Sequence, residues 1–269
     1  MTATLTPTVR AVRATPRTAR FGKGLAGAAA ACLLWETVRA VGLINPDHLP
    51  DLADIASALG TGFTSGELLP ALVATLWAWF LGLFVATLVG VGAGIALGLS
   101  RAADIVVRPI VEFLRPIPSV ALIPIALMTI GLGLDMQVAL TAFASVWPVL
   151  FSVKAGVEDT DPRYLDTGRV IGLRRSEAIV RIVLPNALPS LATGVRTAAA
   201  IALVLAITVE MVTGQPGLGA VLTDNRLAGR SAEVWATVFL TGVLGYVVNA
   251  IFLLIEKRVF AWSSEHRGS

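Results

Sequence analysis

The chain has 269 residues, of which 55% are hydrophobic and 14% are charged, and its formal net charge at pH 7 is +3. A soluble domain carries roughly 25% charged residues, so this chain has too few polar side chains to cover a water-facing surface of its size. The composition therefore excludes an ordinary water-soluble domain and favours a protein whose surface lies in lipid.

The N-terminal segment 1–23 is polar and basic, with five Arg or Lys residues and no acidic one. An apolar run at 24–43 follows, and about 20 apolar residues are enough to cross the hydrocarbon core as a helix. No small-residue cleavage site follows a short apolar core, so we interpret 1–23 as a retained tail and not as a targeting peptide.

Five further apolar runs have or approach spanning length, and they cover 70–99, 105–132, 136–153, 188–213 and 234–255. Backbone amides in lipid must bond within their own segment, so such runs form helices. The sequence predicts an all-α membrane protein, a bundle of six transmembrane helices within a domain 24–258, followed by a tail 259–269. The third run contains prolines near Arg115-Pro116-Ile117-Pro118, where we expect it to break or kink.

Basic residues alternate along the connections and set the predicted orientation. They occur in the tail 1–23, in the long loop 154–187 and in the C-terminal tail, whereas 44–69 carries only acidic charges. Because positively charged loops stay in the cytoplasm, both termini and the long loop are predicted to lie there, in a bacterial cytoplasmic membrane. Arg226 and Arg230 are the exception, in a connection that this scheme places outside.

The loop 154–187 is the longest polar segment between the predicted spans. Asp161-Pro162 can begin a helix, and Gly172 is typical of a residue that follows a helix end. A second amphipathic helix is predicted from Ser176, as its N-cap, to Leu184-Pro185. The loop therefore either lies on lipid headgroups or forms a docking element for a cytoplasmic partner.

The spacing in this loop carries a family resemblance. Asp166-Thr167-Gly168 is followed by three residues, Gly172, nine residues and Ile182-Val183-Leu184-Pro185. This resembles the loop signature of permeases of binding-protein-dependent ABC importers, which runs Glu-Ala-Ala, three residues, Gly, nine residues and Ile-x-Leu-Pro. Only the acidic character of the first triplet is kept here, at Asp166.

Three other segments resemble one branch of that family, the permeases for sulfonate, taurine and nitrate-type solutes. They are Arg115-Pro116-Ile117-Pro118, Glu210-Met211 and Gly217-Leu218-Gly219. The whole resemblance extends from about residue 49 to residue 258. It implies the type I ABC importer permease fold and the import of a small solute such as an organosulfonate, taurine or nitrate.

The resemblance also implies partners and site residues. A coupling helix over 161–174 would contact an ATP-binding subunit, present in two copies, which would hold the ATP and Mg that this non-catalytic chain does not bind. An extracytoplasmic binding protein would deliver the solute, and a second copy of the permease would complete the path, with lipid around it and no nucleic acid involved. The coupling residues by position are Asp166, Gly168, Gly172, Leu173, Arg174, Ile182, Leu184 and Pro185.

Four residues are candidates for the translocation path or its gate, namely Glu210, Arg115, Pro116 and Pro118. A carboxylate inside a span is costly in lipid and usually faces protein or water. Glu210 therefore either lines the path near an outer gate or serves as a structural hydrogen-bonding group between helices.

Other classes of function lack their expected patterns. The sequence contains no P-loop, no catalytic grouping and no set of residues with metal-ligand spacing. The main alternative is an ATP-independent secondary transporter or channel. Such a protein would be expected to show internal repeats with broken helices in matching halves, and none is evident.

Overall fold

The computed structural model describes residues 17–42, 44–45 and 48–259, and every regular element within these ranges is helical. Most of the predicted tails, 1–16 and 260–269, lies outside the described residues. The elements are, in chain order, α1 (Arg17–Ala40), α2 (Leu52–Thr64), α3 (Leu68–Leu99), α4 (Arg101–Leu114), a 3₁₀ turn (Ser119–Leu122), α5 (Ile123–Thr129), α6 (Leu134–Glu158), α7 (Pro162–Val170), α8 (Arg175–Ala178), a π-helical turn (Ile179–Val183), α9 (Leu184–Thr213), α10 (Leu218–Leu227) and α11 (Ser231–Val259).

Four of the described helices are long and apolar enough to cross a membrane, namely α3, α6, α11 and the continuous helix formed by α8, the π-helical turn and α9. A bent pair of segments at 101–114 and 119–129 makes a fifth crossing if it is counted as one span. Helix α1 covers the first predicted run, but Glu36 and Arg39 interrupt its apolar segment and it does not meet the same criterion. The sixth crossing stays a prediction.

The predicted break in the third run is confirmed. Helix α4 ends at Leu114, and the chain turns by 83° before the 3₁₀ turn and α5 continue. Proline lacks a backbone N–H and disfavours a helical conformation in the residue before it, so Pro116 and Pro118 end the helix here. Pro124, in the first turn of α5, is tolerated because N–H groups in a first turn have no partner within the helix.

The core of the bundle includes a close contact between α3 and α6, where glycines of α3 face valines of α6. Gly90, Gly94 and Gly98 lie one turn apart and face Val149, Val153 and Val157 of α6, respectively, across a close backbone approach. A Cβ atom at Gly94 would lie 2.8 Å from the carbonyl oxygen of Leu150, which is backbone and cannot rotate away. These glycines therefore serve helix packing, as their spacing indicates.

The variant Gly94→Ala is expected to be destabilised by about 1–3 kcal/mol, because the added methyl group overpacks the α3–α6 contact. The control is Gly92→Ala in the same helix, where no atom lies within 4 Å of the new Cβ. Alanine favours a helix over glycine by about 1 kcal/mol, so the control should be neutral or stabilising. Thermal unfolding in detergent checks both, and equal effects would contradict this packing.

The two ends of the bundle differ. The loop end carries α7, the last turns of α3 and α6 and the start of α9, while the opposite end carries α2 and α10. Helix α10 packs on α9, α11 and α3, and its first residue, Leu218, is fully buried. The polar groups discussed below lie at these two ends.

Candidate functional site

Helix α7 has a defined beginning and end, as the sequence predicts. The Asp161 carboxylate accepts a hydrogen bond of 2.9 Å from the Arg163 N–H, and Pro162 occupies the first turn. After the helix, Gly172 has a φ of +79°, and the Leu173 N–H donates to the Gly168 carbonyl at 2.9 Å. This left-handed turn favours glycine and satisfies carbonyl groups at the helix end.

The second predicted helix of the loop begins and ends differently from the prediction. It starts at Arg175, and the Glu177 carboxylate accepts from the Arg174 N–H at 2.8 Å, so Arg174 and not Ser176 is the N-cap. The prediction that it ends at Leu184-Pro185 is wrong. In the π-helical turn the Leu184 N–H bonds to the Ile179 carbonyl, and regular α-helical bonding restarts there, so Pro185 falls in a first turn where its missing N–H costs little.

Helix α7 rests on this π-helical turn through Gly168. Gly168 is buried, and a Cβ atom there would lie 3.0 Å from Ile182 Cδ1 and 3.4 Å from Leu173 Cδ1. Gly168, Leu173 and Ile182 are therefore brought together as one packed contact. Leu184 and Pro185 follow in the helix behind it and are partly buried, while Asp166, Gly172 and Arg174 are exposed.

The outer side of α7 forms an exposed surface made of Tyr164, Asp166, Arg169, Val170 and Ile171. We call it the coupling surface, after the role that the sequence resemblance predicts for it. Val170 is 86% exposed and Ile171 is 69% exposed. Asp166 and Arg169 form an exposed ion pair of 3.0 Å beside them. Apolar side chains exposed on a polar loop and rimmed by charges are typical of a protein–protein contact.

A buried polar cluster lies at the opposite end of the bundle, centred on Glu210 of α9, which is 0% exposed. Its carboxylate accepts three hydrogen bonds, from Thr75 Oγ1 of α3 at 2.9 Å, from Gln137 Nε2 of α6 at 2.9 Å and from the Gly219 N–H of α10 at 3.0 Å. Thr75 Oγ1 in turn accepts from the Leu218 N–H at 2.9 Å. The cluster thus joins four helices and satisfies the first N–H groups of α10.

The Gly-Leu-Gly segment is explained by this cluster. A Cβ atom at Gly217 would overlap the Glu210 carboxylate, and one at Gly219 would overlap the Ile207 carbonyl oxygen. Glu210 and the glycines were predicted from the sequence as candidates, whereas Thr75 and Gln137 were not. The sequence shows each of them only as a polar residue inside or at the start of an apolar run. That position does not reveal a hydrogen-bond partner more than 70 residues away.

The structure does not bring the four path candidates together. Arg115, Pro116 and Pro118 lie exposed at the bend after α4, and the Arg115 guanidinium lies 4.8 Å from the centre of the Phe151 ring. Phe151 is 14 residues along α6 from Gln137, the partner of Glu210, which at 1.5 Å per residue is about 21 Å. The bend and the Glu210 cluster are therefore two separate features of the bundle.

Comparison with known structures supports the fold. The chain resembles a subunit of the MetNI methionine ABC transporter in an inward-facing conformation, with a TM-score of 0.64 and 19% identity over 71% of this chain and 95% of that one. It also resembles a chain of an amino acid ABC transporter solved with histidines, with a TM-score of 0.63 and 18% identity over 74% and 97% of the two chains.

Sequence comparison defines the family. The chain is 25% identical to the putative aliphatic sulfonates transport permease protein SsuC of Bacillus subtilis over 96% of this chain and 94% of that one. It is 27% identical to the taurine transport system permease protein TauC of Escherichia coli over 86% of each chain. It is also 27% identical to the nitrate import permease protein NrtB of Leptolyngbya laminosa over 74% and 71% of the two chains.

The family model described as the binding-protein-dependent transport system inner membrane component matches residues 86–261, which include the whole loop with α7 and the Glu210 cluster apart from Thr75. That range is well over half of the chain. The chain therefore belongs to this family and is the membrane-spanning permease subunit of an ABC importer.

Proposed function

We propose that this permease imports a small solute of the sulfonate, taurine or nitrate kind, and that the coupling surface on α7 receives the motion of an ATP-binding subunit. The observation that carries the coupling role is the construction of α7. It is a short helix with both ends fixed by hydrogen bonds, seated on the bundle through Gly168, and it exposes Val170 and Ile171. An element of this kind moves as a unit when a partner pushes on it.

We place the loop end in the cytoplasm, together with both termini. The basic residues near α7 and α8 support this orientation, because such loops are retained on the cytoplasmic side. They are Lys154, Arg163, Arg169, Arg174, Arg175 and Arg181. Two ATP-binding subunits and a second permease copy complete the proposed importer, and ATP and Mg bind to the partner subunits. An extracytoplasmic binding protein then meets the opposite end.

We assign the Glu210 cluster to the outer closure of the path. The cluster holds α10 against three other helices at the end that faces the binding protein in this orientation. This arrangement supports a role for Glu210 in positioning α10. The Glu210 carboxylate is fully buried and bonded to three protein donors, so it is not exposed to a solute. The bend at Arg115, Pro116 and Pro118 is the candidate for the path itself, since non-helical backbone at membrane depth is tolerated only where protein covers it or where it lines a water-filled cavity.

The solute proposal is tested with the assembled importer in liposomes. Uptake of labelled taurine, ethanesulfonate and nitrate is measured with and without internal ATP and with and without the binding protein. We expect one of these solute types to enter only when ATP and the binding protein are both present. Solute uptake that requires neither ATP nor the binding protein would contradict the proposal and would favour a secondary transporter.

A further inference from the structure

Helix α4 is the element that leads from α3 to the bend, and it is attached to the bundle through one face. Its outer face exposes Ile105, Val106, Ile110 and Phe113. Its inner face carries Asp104, 7% exposed, and Val111, 8% exposed. An aspartate this buried needs a partner, because burial of an unpaired charge is costly.

The inner face of α4 does not fit tightly against the helices behind it. A cavity of about 130 Å³ remains between α4, α3 and α6, and Leu97, Val111, Leu150 and Phe151 are among its lining residues. Close backbone approaches between α4 and α6 are few. The position of α4 therefore depends on individual side chains more than on helix packing.

Two of these side chains come from a single turn of α6. Lys154 Nζ lies 2.6 Å from Asp104 Oδ1 near the start of α4, and the Phe151 ring lies under the Arg115 guanidinium just after its end. The side chains of Lys154 and Asp104 are only 13% and 10% exposed, so water screens their attraction little. One turn of α6 thus contacts both ends of α4.

The same turn of α6 leads directly into the loop. Helix α6 ends at Glu158, three residues follow, and α7 begins at Pro162. A linker of three residues therefore joins α7 to the last turns of α6, where Lys154 lies. On the other side of the ion pair, α4 ends at the bend.

We propose that Lys154 and Asp104 are positioning residues for transport, which carry the motion of α7 through the end of α6 to α4 and so to the bend at 115–118. The inference rests on the proposed function, in which α7 receives motion from an ATP-binding subunit. It goes further because it assigns the link to an ion pair outside the loop signature. The ion pair acts on the bend through α4 and does not itself contact the solute.

The neighbouring charges make this proposal testable by single substitutions. Arg108 also pairs with Asp104, at 2.5 Å, so Lys154→Met does not leave the carboxylate without a cation. Glu158 lies 3.6 Å from Lys154, so Asp104→Asn does not leave the ammonium group without an anion. Removal of one member of a buried pair usually unfolds or weakens a protein through the orphaned charge, and here both charges keep a second partner.

The test uses the complete importer in liposomes and measures solute uptake and ATP hydrolysis in the same preparation. We expect Lys154→Met and Asp104→Asn to assemble and hydrolyse ATP but to lower uptake per ATP by about fivefold or more, the lower end of typical coupling between sites. Lys154→Arg, which keeps the cation, should stay within about twofold of the original protein on the same scale. Glu158→Gln, which removes the more exposed contact of the same lysine, should leave the ratio unchanged.

The outcomes separate failure of the ion-pair proposal from failure of the proposed function. Unchanged uptake per ATP in Lys154→Met or in Asp104→Asn overturns the ion-pair proposal. An equal loss in Lys154→Arg does the same, because a cation at the site would then not be what matters. If the unsubstituted importer shows no ATP-dependent uptake, the proposed function has failed before any variant is compared.

Discussion

The variant Glu210→Gln is expected to lose most of its transport and to unfold at a lower temperature, and the added change Gln137→Glu is expected to restore part of both. In the native cluster one carboxylate oxygen accepts from Thr75 and Gly219, while the other accepts from Gln137. The side-chain oxygen of a glutamine at 210 can keep the first two bonds. Its NH₂ group then faces the NH₂ group of Gln137, and two donors cannot bond to each other. An unmade buried hydrogen bond costs about 1–3 kcal/mol.

The double variant reverses this mismatch. A glutamine at 210 then donates to the carboxylate at 137, and its oxygen still accepts from Thr75 Oγ1 and the Gly219 N–H. The hydrogen bond of 3.4 Å that Gln137 Nε2 donates to the Ala206 carbonyl is lost, so the rescue is partial. Thermal unfolding in detergent and ATP-driven uptake in liposomes are measured for both single variants and the double variant. If the loss of unfolding free energy in the double variant equals the sum of the losses in the two single variants, residues 137 and 210 act independently. That result would contradict the cluster.

Substitution of Thr75 gives a matched control for the same cluster. Thr75→Ser keeps the hydroxyl that joins Glu210 to the Leu218 N–H and should behave almost as the original protein. Thr75→Val has the same shape without the hydroxyl and should resemble Glu210→Gln. Indistinguishable Ser and Val variants would mean that the hydroxyl has no role in holding α10.

The second large effect is expected for Gly172→Arg, which should abolish most transport while the permease still folds and the partner ATPase still works. No atom lies within 4 Å of a Cβ atom at Gly172, so the first atom of a new side chain meets open space. It projects next to Ile171 on the coupling surface, where a partner would dock. The φ of +79° adds a backbone cost of about 1–2 kcal/mol for any other residue.

The control Gly172→Ala separates these two causes, because it has the same backbone strain without the bulk. We expect the alanine variant to be somewhat less stable but to transport well, and the arginine variant to lose uptake by about tenfold or more, within the range of coupling between sites. Asp166→Lys, with Gly172 kept, should also reduce uptake. Normal uptake in both Gly172→Arg and Asp166→Lys would show that α7 is not the coupling element.

Much of the fold could be predicted because its signals are local. Apolar run lengths, the prolines at 116 and 118 and the Asp161-Pro162 start each act within a few residues, and the corresponding helices, the bend and α7 are present. The error at Pro185 arose because a proline usually ends a helix, whereas here a π-helical turn shifts the bonding so that the helix continues. That shift is not visible in residue type alone.

The candidate sites could be predicted only in part. The loop residues were identified through their spacing, but the contact of Gly168 with Ile182 depends on how the two halves of the loop pack. The partners of Glu210 and the Asp104–Lys154 pair join helices far apart in sequence. One sequence without related sequences carries no signal for such pairings, since many polar residues in apolar runs could form them.

The most direct test of the central claim, that this permease works through an ATP-binding partner docked on α7, is purification from the native membrane in mild detergent. The original protein and Gly172→Arg are compared at equal yield. We expect about one copy of an ATP-binding protein to be recovered per copy of the original permease. With Gly172→Arg, we expect less ATP-binding protein to be recovered or less ATP-driven uptake to be measured. A permease that purifies alone and moves solute in liposomes without ATP would contradict the account.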